Sequence, residues 1–153
     1  TFRQSCIYGT RQLGIEDQGW VAWFTIAATL DKTLTIFGNG KQIRDVLWVE
    51  DLVRAYAAAI ERRDAASGQA FNIGGGSSNT LSLLELLRYL QESLGKSVTP
   101  RWADWRPGDQ PVFVCNLNKA KQLLGWEPQV SVPAGVGELI TWVRANAGLF
   151  NWM

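Results

Sequence analysis

Histidine is absent from the 153 residues, methionine occurs once and cysteine twice. Without an imidazole, zinc centres and His-based general acid–base catalysis lose their most common group. Cys6 and Cys115 are too few and too far apart for a disulfide framework or a zinc knuckle. Neither sign of charge is in excess, since 15 Lys and Arg oppose 14 Asp and Glu for a formal net charge of +1. A chain so balanced lacks the basic surface that holds a nucleic acid backbone, and no such partner is expected. The most apolar stretch, Val21 to Leu30, is too short to cross a bilayer, and no secretory or lipidation pattern is readable. A cytoplasmic, reduced protein with no membrane partner is therefore expected. Also missing are a G-x-G-x-x-G fingerprint, a Walker loop and a G-x-S-x-G elbow. None of Tyr8, Tyr56 and Tyr89 has a lysine four residues on; Gln12, Ile60 and Ser93 stand there.

What is present is globular: 46% hydrophobic and 19% charged residues, enough to bury a core and read as one domain over 1–153. Eight tryptophans exceed what one small core can enclose, so some should sit at a ligand cleft or a protein contact. Strand-like and helical patterns interleave, which argues for an α/β fold. Phe2 to Tyr8 reads as one strand ended by Gly9, and Trp20 to Leu30 as a mostly buried helix. Thr33 to Phe37 is β-rich and stops at the Gly38-Asn39-Gly40 turn. Glu50 to Arg63 is an amphipathic helix with Leu52, Val53, Tyr56, Ala59 and Ile60 on its apolar face. A strand, Gln69 to Ile73, runs into Gly74-Gly75-Gly76, read as a flexible turn because phosphate-loop spacing is missing. Ser82 and Glu85 form a capping box, Leu81 and Leu86 a staple, and Gly95 a C-cap. Strands at Val98 to Trp102 and Val112 to Cys115 flank Pro107-Gly108. A short helix, Lys119 to Leu124, is closed by Gly125, and a last helix runs from Pro133 to about Ala147 with Val136, Leu139, Ile140 and Val143 inward.

Arg44 and Arg106 are the first candidates for chemistry. A guanidinium offers a planar fork of donors matched to phosphate, and it stays charged at any physiological pH. Two of them could clamp a diphosphate from both sides. The plainer alternative, that Arg44 pairs with Asp45 or Glu50 and Arg106 is a solvated loop charge, stays open on spacing alone. Thr35, Ile36 and Phe37 could lay backbone groups and one ring along a nucleobase, or be an ordinary strand end. The carboxylates Asp17, Asp51 and Asp109 read as parts of caps and turns.

The order RQSCIYG, IFGNGKQIRDVLWVEDLVRAY, FNIGGG, RPGD and NLNKAKQLLGWEP resembles the C-terminal half of an extended short-chain dehydrogenase/reductase of the NAD-dependent epimerase/dehydratase type. The segment EDQGWVAWF, Glu16 to Phe24, is similar to the CDP-paratose (CDP-tyvelose) 2-epimerase group. The resemblance implies one late Rossmann strand, Phe2 to Tyr8, followed by a mixed α/β substrate-binding domain, with the N-terminal Rossmann portion missing. It also implies that Arg44 and Arg106 grip a nucleotide diphosphate, that Thr35, Ile36 and Phe37 lie along the base, and that Asp109 lies near the ribose. Cys6 and Tyr8 belong to a stretch that faces nicotinamide and sugar in that family. Relatives commonly carry Asn where Cys6 stands and Pro where Thr10 stands. The NAD and the Tyr/Lys pair implied for full-length relatives would lie outside this chain, which is expected neither to bind NAD alone nor to hold a catalytic residue or a metal.

The sequence therefore leads to the nucleotide-sugar-binding part of a sugar-nucleotide 2-epimerase, with a CDP-sugar as partner, incomplete as it stands. The competing expectation is a truncated interaction module without activity. Its exposed Trp-rich, strand-edged surface would favour a homo-oligomer, in the first instance a dimer.

Overall fold

A computed structural model describes residues 1–152 and confirms a mixed α/β architecture. Ten-residue helix α1 (Trp20–Thr29) has seven buried residues. It is apolar nearly all round, as a central helix must be. It packs against α4 (Leu83–Leu94) and α6 (Val132–Ala145). In α4 the capping box is complete: Ser82 Oγ accepts from the Glu85 N–H at 3.2 Å, and the Ser82 N–H donates to Glu85 Oε2 at 2.7 Å. The Ser82 Oγ–H also donates to Glu85 Oε2 at 2.7 Å, and this bond followed by the backbone one holds the Glu85 carboxyl below its usual range. Leu86, Leu87 and Leu90 are buried, and Gly95 closes the helix at φ 65°. Helix α6 starts at the Ser131 cap and turns Val136, Leu139, Ile140 and Val143 inward.

The strands are short and distributed over four small sheets. Where the sequence suggests one strand over Phe2 to Tyr8, two stand. Strand β1 (Phe2–Gln4) pairs in parallel with β6 (Phe71–Ile73), whereas β2 (Ile7–Tyr8) pairs in parallel with β5 (Leu47–Trp48). Cys6, at φ 38°, is the hinge between them. A side chain adopts that conformation only at a cost, and Ser5 supplies the restraint by donating its N–H to the Ile73 carbonyl at 3.0 Å. Next, β3 (Thr35–Phe37) pairs with β8 (Arg101–Ala103), and β4 (Ile43–Asp45) lies between β7 (Thr80–Ser82) and β9 (Val112–Phe113).

A second correction concerns α2 (Val49–Glu61). Of the apolar stripe read as its packing face, Leu52 and Ala59 pack on the core behind the helix, whereas Val53, Tyr56 and Ile60 point outward and are 61%, 47% and 74% exposed. Its buried residues are Asp51 and Ala55. The rotation follows from the Asp51 carboxylate, which accepts the Gln129 and Val130 N–H groups at 2.9 and 3.0 Å. Arg54 pairs with the same carboxylate, and the Trp126 Nε1–H donates to the Asp51 carbonyl at 3.0 Å. Unpaired amides cost more than exposed Val and Ile side chains lose, so the carboxylate sets the helix face. Behind it lies a second core of Leu47, Ala55, Phe71, Ile73, Ala120, Leu124 and Trp126, which takes in α5 (Asn118–Leu124). The short helix α3 (Arg63–Ala66) returns the chain from α2 to β6.

The Gly74 to Gly76 segment is tightly packed, not loose. A Cβ on Gly74 would collide with the Asp45 carboxylate, and one on Gly75 with the Val46 carbonyl.

Asp51→Ala should lower unfolding stability by about 3 kcal/mol, since it strands two amides and the Arg54 charge. The urea midpoint measures this; a loss below about 1 kcal/mol would show that α2 is held by its apolar contacts instead.

Candidate functional site

Two strand pairings bring residues distant in sequence to one cleft. The β3–β8 register sets Phe37 opposite Ala103, and the Gly38 N–H donates to the Ala103 carbonyl at 2.9 Å. On the far side of the loop, the Ile43 N–H donates to the Pro111 carbonyl at 2.9 Å, and Arg44 stands opposite Phe113. The Arg106-Pro107-Gly108-Asp109 turn is thus bracketed by β3 on one side and β4 on the other. An Asp109 N–H to Arg106 carbonyl bond of 3.1 Å and a φ of 78° at Gly108 close it.

The cleft has a volume of about 360 Å³, within the usual range for small-molecule sites. Arg44 and Arg106 both line it, with Thr35, Phe37 and Asp109; Trp20 and Phe24 supply an apolar wall from α1. Ile36 alternates away from it and is fully buried in the core. Arg44 bonds neither Asp45 nor Glu50. Its Nη2 meets Asp109 Oδ1 at 2.6 Å in a half-buried pair, with side-chain exposures of 17% and 25%. Arg106 is stacked, its Cζ 4.0 Å from the Phe37 ring centroid. Its Nη2 reaches Asp17 Oδ1 at 3.0 Å and the Glu16 carbonyl at 3.2 Å. So Asp17 and Asp109 belong to turns, as expected, and are also the ion-pair partners of the two arginines.

Reading residues singly misses Gln42 and the Glu16–Asp17 loop. Gln42 precedes Arg44 by two positions, which on a strand means the same face, and that spacing was the available signal. It is 4% exposed, and its Nε2 donates to the Phe37 carbonyl at 2.7 Å and to Asp109 Oδ2 at 3.2 Å. Trp105 lies across Gly38, where a Cβ would come within 2.7 Å of the indole.

Neither Cys6 nor Tyr8 lines this cleft, although Cys6 touches Trp20 in its wall. Tyr8 is 2% exposed, edge-on to Trp48 with ring centroids 5.4 Å apart, and burial raises its hydroxyl pKa. Burial also raises the Cys6 thiol, against hydrogen bonds with Trp20 and Ser5 that lower it. Burial and then the Asp45 charge push Cys115 up to about 11.

The family described as GDP-mannose 4,6 dehydratase matches residues 20–139. The chain belongs to that family. It has the fold of the extended short-chain dehydrogenase/reductases that act on nucleotide sugars. It is 41% identical over 149 residues to the CDP-paratose 2-epimerase of Salmonella typhi, covering 94% of this chain and 44% of that one. The UDP-glucose 4-epimerase of Thermotoga maritima, solved with UDP-glucose, superposes with a TM-score of 0.83 at 32% identity, over 95% of this chain and 46% of its own. The UDP-glucuronic acid 4-epimerase of Bacillus cereus, solved with UDP-glucuronic acid and NAD, gives 0.82 at 29% identity, over 94% and 44%. The chain therefore spans less than half the length of these relatives.

Both thiols should resist alkylation. With a pKa near 11, Cys115 carries about a hundredth of the thiolate of a free cysteine at pH 8. Iodoacetamide labelling followed by mass spectrometry should be slow at pH 8 and accelerate as the pH rises. Rapid labelling of Cys115 in the folded protein would contradict its burial.

Proposed function

We propose that this chain is the nucleotide-sugar-binding part of an NAD-dependent sugar-nucleotide 2-epimerase, and that its ligand is a CDP-sugar. The observation that carries the reading is the convergence of Arg44 and Arg106 on one cleft, with the Phe37 ring beneath Arg106. The likeness to the Salmonella typhi enzyme supports cytidine as the base. In this reading the diphosphate lies between the two guanidiniums, the base lies along Thr35 to Phe37, and Asp109 sits beside the ribose.

The two arginines have different parts. The Arg106–Asp17 pair is exposed on its acid side, at 81%, so its net worth is below about 1 kcal/mol and a phosphate can displace the carboxylate. Phe37 keeps the guanidinium flat over its ring during that exchange. The Arg44–Asp109 pair is far less exposed and stays formed, and Nη1 donates to the Ile43 carbonyl at 2.9 Å, leaving the remaining Arg44 N–H groups to the phosphate. Nucleotide binding then orients the sugar for a reaction whose chemical step needs groups beyond this chain.

NAD supplies transient oxidation of a sugar hydroxyl in such a mechanism. The Gly74 to Gly76 turn does not fit its pyrophosphate. The one glycine triplet spends the Gly76 N–H on Asp45 Oδ2 at 3.0 Å, and its neighbours are too close to admit a pyrophosphate.

Calorimetry with CDP tests the reading. Arg44→Ala and Arg106→Ala should each weaken binding about tenfold, while Asp17→Asn should tighten it by releasing Arg106. Equal affinity in all four proteins would overturn it.

A second reading has its own observation. The outward stripe of Val53, Tyr56 and Ile60 continues onto Phe2, stacked on Tyr56 at 5.0 Å, and β1 has β6 as its single strand partner among the described residues. Such a surface suits burial against a second copy. Light scattering should then report a dimer that Ile60→Glu dissolves; a monomer across micromolar concentrations ends this reading.

A further inference from the structure

One atom of the cleft remains without a partner. The Oε1 of Gln42 is buried and accepts no hydrogen bond among the described residues, although its side chain lines the cleft. Reversing the amide does not help. The nitrogen already faces two acceptors, the Phe37 carbonyl at 2.7 Å and Asp109 Oδ2 at 3.2 Å, and exchanging the atoms would set oxygen against both. The amide orientation is therefore fixed by its surroundings, and the orphan is an acceptor, not a donor.

That polarity carries information about a ligand. A buried acceptor in a water-poor site gains from a hydrogen-bond donor and is left unsatisfied by an acceptor or by nothing. We infer that Gln42 is a specificity residue of this cleft, its Oε1 accepting a hydrogen bond from a donor on the bound nucleoside. The inference rests on the nucleotide reading of the cleft and deepens it. Two nucleoside groups have the required chemistry: a ribose hydroxyl and the exocyclic amine of the base. Gln42 and Arg44 hold the two oxygens of one carboxylate, so the Gln42 amide lies beside the arginine assigned to the phosphates. Analogues lacking that single donor should be rejected more strongly than their size implies.

The test is a comparison of ratios. Calorimetry with CDP, UDP, 2′-deoxy-CDP and 3′-deoxy-CDP is run on the unaltered protein and on Gln42→Met. UDP replaces the amine by a carbonyl, and each deoxy compound removes one hydroxyl. At least one of the three should bind the unaltered protein about tenfold more weakly than CDP, and the same ratio should fall to within about twofold in Gln42→Met. A merely structural role would lower all affinities together and leave the ratios in place, which would overturn the inference. Unaltered protein that binds all four compounds equally overturns it too, whether or not the variant folds, while leaving the nucleotide reading intact. Failure of all four to bind removes the nucleotide reading and this inference with it.

Discussion

The Asp45 carboxylate, wholly buried, ties the molecule together at the point where its two sheet systems meet. Ser5 Oγ–H donates to Oδ1 at 2.9 Å, the Gly76 N–H to Oδ2 at 3.0 Å, and the Cys115 thiol adds a third donor. These partners come from the break between β1 and β2, the turn after β6, and the stretch after β9. A carboxylate removed from water costs several kcal/mol unless such donors replace the solvent, so the three segments cannot part without exposing that cost. The glycines of the turn follow from this. Their missing side chains let the backbone approach the carboxylate, and the Cys6 hinge lets Ser5 face it. Strand alternation then sends Arg44, one residue earlier, to the opposite face and into the cleft. The floor of the candidate site is the reverse side of a structural anchor.

From that anchor the electrostatics of the cleft follow. Two arginines and three carboxylates line it, so it carries no surplus of positive charge before a ligand arrives. A cleft of this kind does not attract anions by its net field. It instead presents guanidiniums already oriented by carboxylates, and on the reading proposed above an incoming phosphate would exchange one carboxylate for a better-matched set of oxygens. Asp17 is far more exposed than Asp109, which makes its pair the weaker of the two, and the ring of Phe37 stacks on Arg106 independently of that pair.

Much of this was legible in the sequence where the signal is local. The Ser82–Glu85 capping box, the Gly95 and Gly125 C-caps and the inward stripe of α6 are dictated within one or two turns of helix, and all stand as read. The family likeness located Arg44, Arg106 and Asp109 in one cleft, because motif order encodes fold. The illegible parts are those decided over long range. Cys6 breaks a strand because Ser5 bonds across to Ile73 and Asp45, partners far along the chain. Hydrophobic periodicity finds the apolar residues of α2 but cannot say that Asp51, bonded to Gln129 and Val130, leaves Val53, Tyr56 and Ile60 outward and Leu52 and Ala59 inward. The glycine triplet reads as looseness when its neighbours are unknown, and as close packing once they are known.

Binding and chemistry are physically separable in such a molecule. Holding a nucleotide needs fixed donors, a flat ring and a rigid turn, all of which two strand pairings and one buried carboxylate can supply. Inverting a stereocentre needs a group that loses and regains a proton or hydride at neutral pH. The residues of this chain that come nearest to that role are held in their neutral forms by burial: the Cys6 and Cys115 thiols and the Tyr8 hydroxyl all have raised pKa values. Desolvation that protects a core also disarms its nucleophiles.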